Sequence, residues 1–379
     1  MKIDLLINQI DNHNEANILA TKKYKPKEVI FLYRQEDKEK LKSLIDFYKN
    51  TFREIILRDQ KIEEGYIEEL ENIININKNK EILINLTGGS RINSLLLLNI
   101  IKEKGIKSVY LDIKNKDIYT FHNGVDVVKE EFEDIELNTI LKASGGEFIN
   151  DNTDFSKKED LKLFTKAIYE NLELWHSHKQ KLYDSNIFVH DVNNAKNIRI
   201  KINTFDKNEK QLLMKIIMKL KYMGEIQYVE DKNEINIEFK NDYLKSFIFK
   251  SGTWLEIATN NMIKEIKEID EVKSGVMFLW NDNSNVVRNE VDVIAIKDSI
   301  PICISCKDSD KYNEDALNEL EVYSKQIGGD NSYKILVATK EPIKLSVKER
   351  AKEMKINIVI FDGDEEKFKK NIKNIILKI

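Results

Sequence analysis

Glu81-Ile82-Leu83-Ile84-Asn85-Leu86-Thr87-Gly88-Gly89-Ser90-Arg91 joins an apolar run to a glycine turn, and a second apolar pattern then runs on to Lys102. A short apolar run that ends in such a turn reads as a buried strand, and the longer pattern beyond it as a helix. The same alternation extends to both sides. Residues 3–7, 28–33, 53–57, 108–112 and 117–121 read as strands, and residues 15–22, 37–49 and 62–76 as helices. Within 37–49, Leu41, Leu44, Ile45 and Tyr48 fall on one helical face. Strands alternating with helices predict a parallel sheet in a doubly wound α/β domain over roughly the first 140 residues.

The glycine turn is the first candidate site. Glycines let a backbone approach a ligand closely, and helix-start amides favour anions. Thr87, Gly88, Gly89, Ser90 and Arg91 are therefore candidate ligand contacts. No Gly-Lys-Ser/Thr follows, so the turn is not a P-loop, and it lacks the Gly-x-Gly-x-x-Gly spacing. The exit of the first strand, Asn8-Gln9-Ile10-Asp11-Asn12-His13-Asn14, would lie at the same carboxyl edge of the sheet, where open α/β sheets bind ligands. Asn8, Gln9 and Asn12 are the candidates there, and His13 is expected as an exposed loop histidine.

Gly145-Gly146 and the polar run 150–154 read as a linker. A helix over 158–181 follows, then a strand, a helix (207–221) and two strands that turn at Asp231-Lys232-Asn233. From Trp254 a helix reaches about Lys267. Strands at 276–280, 290–296 and 301–306, a helix at 313–326, a strand at 334–338, a helix at 346–354, a strand at 357–361 and a helix at 364–378 complete the chain. The expected division is 1–145, a scaffold segment 146–250 with a winged-helix outline, and 251–379. A chain of 379 residues suits two or three domains.

Composition narrows the function. The net charge of −4 gives no basic field over the whole chain, so any nucleic-acid contact must be local. The N-terminus turns polar after seven residues and reads as no signal peptide. The apolar run 95–101 is too short to span a bilayer, so a cytoplasmic protein without membrane contact is expected. Cys303 and Cys306 are the whole cysteine supply. They lie three apart in a strand, hence on opposite faces, and are expected as buried structural residues rather than metal ligands.

Residues 288–295, Arg-Asn-Glu-Val-Asp-Val-Ile-Ala, put Glu290, Asp292 and Ile294 on one strand face. In the next strand Ser305 and Lys307 share a face. Upstream, Gly252-Thr253-Trp254-Leu255-Glu256 opens a helix and offers a third acid. Hard divalent cations take oxygen ligands from one or two carboxylates plus waters and phosphate. A lysine beside such an ion stabilises developing negative charge. The set suits phosphodiester hydrolysis. Glu319, Tyr323 and Gln326 share a face of the following helix and are placed to turn toward it.

The order Glu256, Asp292, then Lys307 resembles the PD-(D/E)XK nuclease fold. The fuller pattern, with Gly-Thr-Trp-Leu-Glu before Asn-Glu-Val-Asp-Val and Ile-Ser-Cys-Lys, resembles type III CRISPR-associated ancillary nucleases. These join an N-terminal Rossmann-like CARF domain to a C-terminal restriction-endonuclease-like α/β domain. The resemblance implies metal binding by Glu256 and Asp292, catalytic assistance by Lys307, and Mn²⁺ or Mg²⁺ as cofactor. It departs from the pattern at Ser305, where the family has Asp or Glu. Either Glu290, on the face of Asp292, or a backbone carbonyl completes the metal shell there, or metal affinity and activity are reduced. The resemblance also implies that the Thr87–Arg91 turn binds a cyclic oligoadenylate, cyclic tetra-adenylate above all, across a two-fold homodimer, and that DNA or RNA is cut in antiviral defence. Two other functions fit the same outline: a ligand-sensing DNA-binding regulator with an inactive nuclease fold, and a ring nuclease that degrades the cyclic ligand.

Overall fold

The computed structural model describes residues 2–182, 184–240, 245, 253–282 and 285–377. Gly252, the expected boundary at 250/251 and the expected helix end at Lys378 lie outside the described residues.

The N-terminal unit runs β1 (Leu5–Gln9), α1 (Glu15–Tyr24), β2 (Glu28–Tyr33), α2 (Lys38–Thr51), β3 (Ile56–Lys61), α3 (Ile67–Ile76), β4 (Ile82–Asn85), α4 (Arg91–Lys104), β5 (Lys107–Asp112), β6 (Asp117–Phe121) and β7 (Val125–Lys129), and α5 (Leu137–Ala143) closes it. The sheet order is β3-β2-β1-β4-β5-β6-β7. The first five strands in that order are parallel, and β6 and β7 add an antiparallel edge. The expected α/β alternation is thus present. The switch in strand order falls between β1 and β4, which places their carboxyl ends at the crevice where such sheets bind ligands. The third strand lies at 56–61 instead of 53–57, because Ile56 rather than Arg53 aligns with Glu28 at the start of β2. In α2, Leu41, Leu44 and Tyr48 are buried, as their spacing predicts. Ser90 caps α4 by accepting from the Asn93 amide, and Gly105 ends it in the left-handed region.

After α5 comes β8 (Gly146–Asn150), then α6 (Thr153–Lys157), α7 (Glu159–Tyr169) and α8 (Leu172–Leu182). The expected linker is therefore a strand, and it pairs antiparallel with a strand of the C-terminal sheet. The expected single helix over 158–181 is broken at Glu170–Asn171, where the Tyr169 carbonyl sits 2.6 Å from the position a Gly363 Cβ would take. That close approach admits only glycine. Next come β9 (Phe188–His190), β10 (Asn197–Lys201), α9 (Lys207–Tyr222), β11 (Ile226–Glu230) and β12 (Glu234–Phe239). The four strands form an antiparallel sheet, β11-β12-β10-β9. A capping box between Asp206 and Glu209 starts α9.

The C-terminal unit holds α10 (Thr253–Lys264), β13 (Glu271–Asp282), β14 (Asn285–Lys297), β15 (Ile300–Lys307), α11 (Glu314–Gly328), β16 (Tyr333–Ala338), α12 (Leu345–Glu353), β17 (Asn357–Ile360) and α13 (Glu365–Ile376). Its sheet order is β17-β16-β15-β14-β13-β8. One core packs α10, α13 and the middle sheet on one face of it. A second packs α11 and α12 on the other face and continues into α1, α2 and α5. Cys303 belongs to the second core and Cys306 to the first, both as free thiols, so the strand does put them on opposite faces.

Candidate functional site

The edge between β14 and β15 gathers most of the expected acidic set. Backbone pairing of the two strands runs from Lys297–Ile300 to Val293–Ile304. Beyond it, the Cys306 amide donates to Asp292 Oδ2 at 2.6 Å, and Ser305 Oγ donates to the same oxygen at 3.2 Å. Lys307 Nζ lies 3.9 Å from it. Alternation breaks at this point. Val293 and Ala295 pack in one core, whereas Val291 joins Ile294 and Ile296 in the other. Across from Asp292, between the Ser274–Val293 and Val276–Val291 pairs, Gly275 takes a φ of +55°. A side chain there would meet Asn152 at 2.6 Å.

Glu290, Asp292, Ser305, Lys307, Glu319 and Tyr323 line a cavity of about 250 Å³. The Tyr323 hydroxyl donates to Glu319 Oε1 at 3.1 Å. Gln326 turns instead to Asn289, whose amide donates to it at 3.4 Å. Glu256 is not among the cavity walls. It approaches from α10, the helix packed on Val293 and Ala295. Burial, then the charges of Asp292 and Glu290, hold its carboxyl well above the usual carboxylate range, and Lys307 offsets this in part. Burial also raises Asp292, against the pull of Lys307, Cys306 and Ser305. Glu290 is raised by burial and by Asp292.

Crowded carboxylates of raised pKa, with one lysine beside them, form a hard-oxygen donor set short of positive charge. That is the chemistry a divalent cation satisfies. Mn²⁺ is accordingly expected to raise the melting temperature of the wild-type chain and not that of Asp292→Ala. Equal shifts in both would mean that the ion binds elsewhere. A separate acidic trio, Asp134, Asp270 and Asp298, brings its carboxylate oxygens within 4.8 Å of one another. Its Asp298 already pairs with Lys116 and Lys297.

At the other candidate site, the glycine turn lies against the exit of β1. Thr87 donates its amide to Asn85 Oδ1 and accepts from the Leu111 amide. The Gly89 amide donates to Asp11 Oδ2 at 3.1 Å. Gln9 Nε2 donates to Ser94 Oγ at 3.0 Å. Asn12 accepts from Lys40, and Arg91 is exposed. Asn8 is fully buried and accepts from Asn85, while its own Nδ2 has no partner among the described residues. A Cβ on Gly89, whose φ is +83°, would stand 2.6 Å from the Gln9 side chain. Gly89→Ala is expected to cost about 1–2 kcal/mol. A thermal melt indistinguishable from wild type would show that the turn rearranges freely.

His13 is not an exposed loop residue. It packs against Gly329 at the end of α11 and lies 3.3 Å from Ser144 Oγ. Sequence reasoning also missed Asn17 and Asn85, which hydrogen-bond to each other under the turn. An asparagine inside the apolar run 81–86 was the available signal. It missed Asp308, too, which follows Lys307 directly. The Asp308 carboxylate is fully buried. It accepts from Thr339 Oγ1 at 2.9 Å, Trp175 Nε1 at 2.9 Å, Trp254 Nε1 at 2.8 Å and Lys179 Nζ at 2.7 Å, and lies 3.0 Å from His176 Nε2.

The family models decide what these two sites belong to. The one described as the Card1 CARF domain matches residues 7–138, and the one described as the Card1-like endonuclease domain matches residues 245–379. The chain carries a Card1-type CARF domain and a Card1-like endonuclease domain. Its CARF domain carries the glycine turn, and its endonuclease domain carries Glu256, Asp292 and Lys307. Solved structures share the whole architecture. Protein VC1899 from Vibrio cholerae is 16% identical, with a TM-score of 0.74, over 98% of this chain and 97% of that one. Can2 from Sulfobacillus thermosulfidooxidans, solved in complex with cyclic tetra-adenylate, is 17% identical, with a TM-score of 0.70 and the same coverage. No curated protein matches the chain. Among the described residues, no helix of this CARF endonuclease is long and apolar enough to cross a membrane.

Proposed function

We propose that this CARF endonuclease is switched on by a cyclic oligoadenylate, cyclic tetra-adenylate above all, and then cuts DNA or RNA with Mn²⁺ or Mg²⁺ in type III CRISPR antiviral defence. The observation that carries the reading is the convergence of Asp292, Ser305 and Lys307 on one cavity at the β14–β15 edge, in a chain that also holds a CARF glycine turn. Glu256 and Asp292 would hold the metal, with Glu290 in place of the acid that Ser305 replaces. The chemistry that such a metal would supply is polarisation of the phosphate and a lowered pKa for a water. Lys307 stabilises the charge that develops on the phosphate oxygens. Ser305 orients the Asp292 carboxylate by its hydrogen bond.

In the CARF domain, Asn8, Gln9, Asn12 and the turn Thr87, Gly88, Gly89, Ser90 and Arg91 would bind the cyclic ligand. A two-fold homodimer would present this turn twice to a symmetric ring. The chain divides functionally into 1–145, 146–250 and 251–379, and it acts in the cytoplasm. Purified protein with Mn²⁺ is expected to cut single-stranded DNA or RNA only when cyclic tetra-adenylate is present. Intact nucleic acid together with a shortened ligand on chromatography would instead make the protein a ring nuclease. Salt-sensitive duplex binding without cleavage would make it a regulator.

A further inference from the structure

The Asp308 cluster is built from parts that do not share one domain. Trp175, His176 and Lys179 come from α8, which lies between the two matched regions. Trp254 stands in the first turn of α10, two residues before Glu256. Thr339 follows β16, and its amide donates to the Lys307 carbonyl at 3.3 Å. Oδ2 receives both indole N–H groups and the Lys179 ammonium, and Oδ1 receives Thr339 and faces His176. Lys179 also donates to the Asp308 carbonyl at 2.5 Å. A buried ion pair is weak evidence of stabilisation, because desolvation of its charges offsets much of their attraction, so burial of a charge there argues for geometry rather than strength.

We propose that Asp308 is a positioning residue of the nuclease centre, tying the Glu256 helix to the Lys307 strand end through one carboxylate. The indole N–H of Trp254 fixes the rotation of α10 about its own axis, and that rotation decides where the Glu256 carboxyl points. The Asp308 backbone fixes the Cα position of its neighbour Lys307. Helix α8 supplies the counter-charge that keeps the carboxylate ionised and in place. The segment between the two matched domains thereby becomes part of the nuclease site. Groups that orient metal ligands in this way commonly change metal affinity about 10–100-fold when removed.

The inference rests on the metal-site reading above, and the test separates the two. Mn²⁺ binding to the full chain is followed by electron paramagnetic resonance of the free ion, without nucleic acid. Wild type, Asp292→Ala, Asp308→Asn, Trp254→Phe and Phe188→Leu are compared, with thermal melts of each. Phe188→Leu shortens a core residue of β9 and serves as the control for lost stability. Trp254→Phe removes one N–H and keeps the ring, so the test survives if Asp308→Asn does not fold. The expected result is a Mn²⁺ midpoint raised about tenfold or more by Trp254→Phe and Asp308→Asn, and unmoved by Phe188→Leu. A wild-type midpoint in Trp254→Phe, beside a lost site in Asp292→Ala, overturns the inference and leaves the metal site standing. Binding that Asp292→Ala leaves intact overturns both.

Discussion

Asp292→Ala is expected to cut nucleic acid at least about a thousandfold more slowly than wild type, a loss of about 4 kcal/mol of transition-state stabilisation. Asp292 is where the site's interactions cross. It takes the Cys306 amide, the Ser305 hydroxyl and the field of Lys307, and it raises both Glu256 and Glu290. Removing it deletes a proposed metal ligand and frees Lys307 from its only carboxylate pairing within 4.0 Å among the described residues. The fold should tolerate the change, since the side chain faces a solvent-accessible cavity. Cleavage assays with Mn²⁺ and cyclic tetra-adenylate, beside an unchanged circular dichroism spectrum, are the measurement. Retention of more than a tenth of wild-type cleavage would move the catalytic centre away from β14.

The second large effect is on stability. Asp308→Ala is expected to destabilise the chain by about 3–5 kcal/mol, because it takes a buried carboxylate from beside the Lys179 ammonium and removes the acceptor that both indole N–H groups share. Asp308→Leu combined with Lys179→Met should recover part of that loss, since the buried ammonium is then gone as well. The pH dependence carries a definite sign. Burial pushes the Asp308 carboxyl up, but His176, Lys179 and Trp175 together outweigh it and hold the group below its ordinary value of 3.8. A carboxyl lowered in the folded state contributes stability that is fully present above its unfolded value and fades as pH falls through the folded one. The difference in urea midpoint between wild type and Asp308→Ala should therefore be constant at neutral pH and shrink below about pH 4. A difference that grew on acidification would contradict the ion pair.

Much of this was legible locally. The runs 28–33 and 81–86 became parallel strands inside the sheet because a mostly apolar run has one stable home, a sheet covered on both faces. Cys303 and Cys306 divided between two cores as their spacing required. Glu290, Asp292, Ser305 and Lys307 met at one cavity because the end of β15 runs beside the middle of β14. Other features depended on distant partners. Strand β7 has every residue exposed and pairs only along a sheet edge, so its pattern shows no buried face. Gly146-Glu147-Phe148-Ile149-Asn150 is polar enough to pass for a linker, and only its pairing with Phe278, Leu279 and Trp280 makes it a strand. Asp308 looked like any acid at the end of a strand. Its partners lie in α8, α10 and after β16, and no local spacing connects them.

Strand β8 also sets a schedule for synthesis. It leaves the ribosome about 130 residues before β13 does, and at about 5–20 residues per second that is a wait on the order of ten seconds. Throughout it the CARF sheet can close, because its strands pair within the first 129 residues. The edge strand that follows has no sheet to join. Its polar residues keep it soluble in the interval, so the sequence that hides the strand from a reader also protects the nascent chain from pairing with the wrong partner.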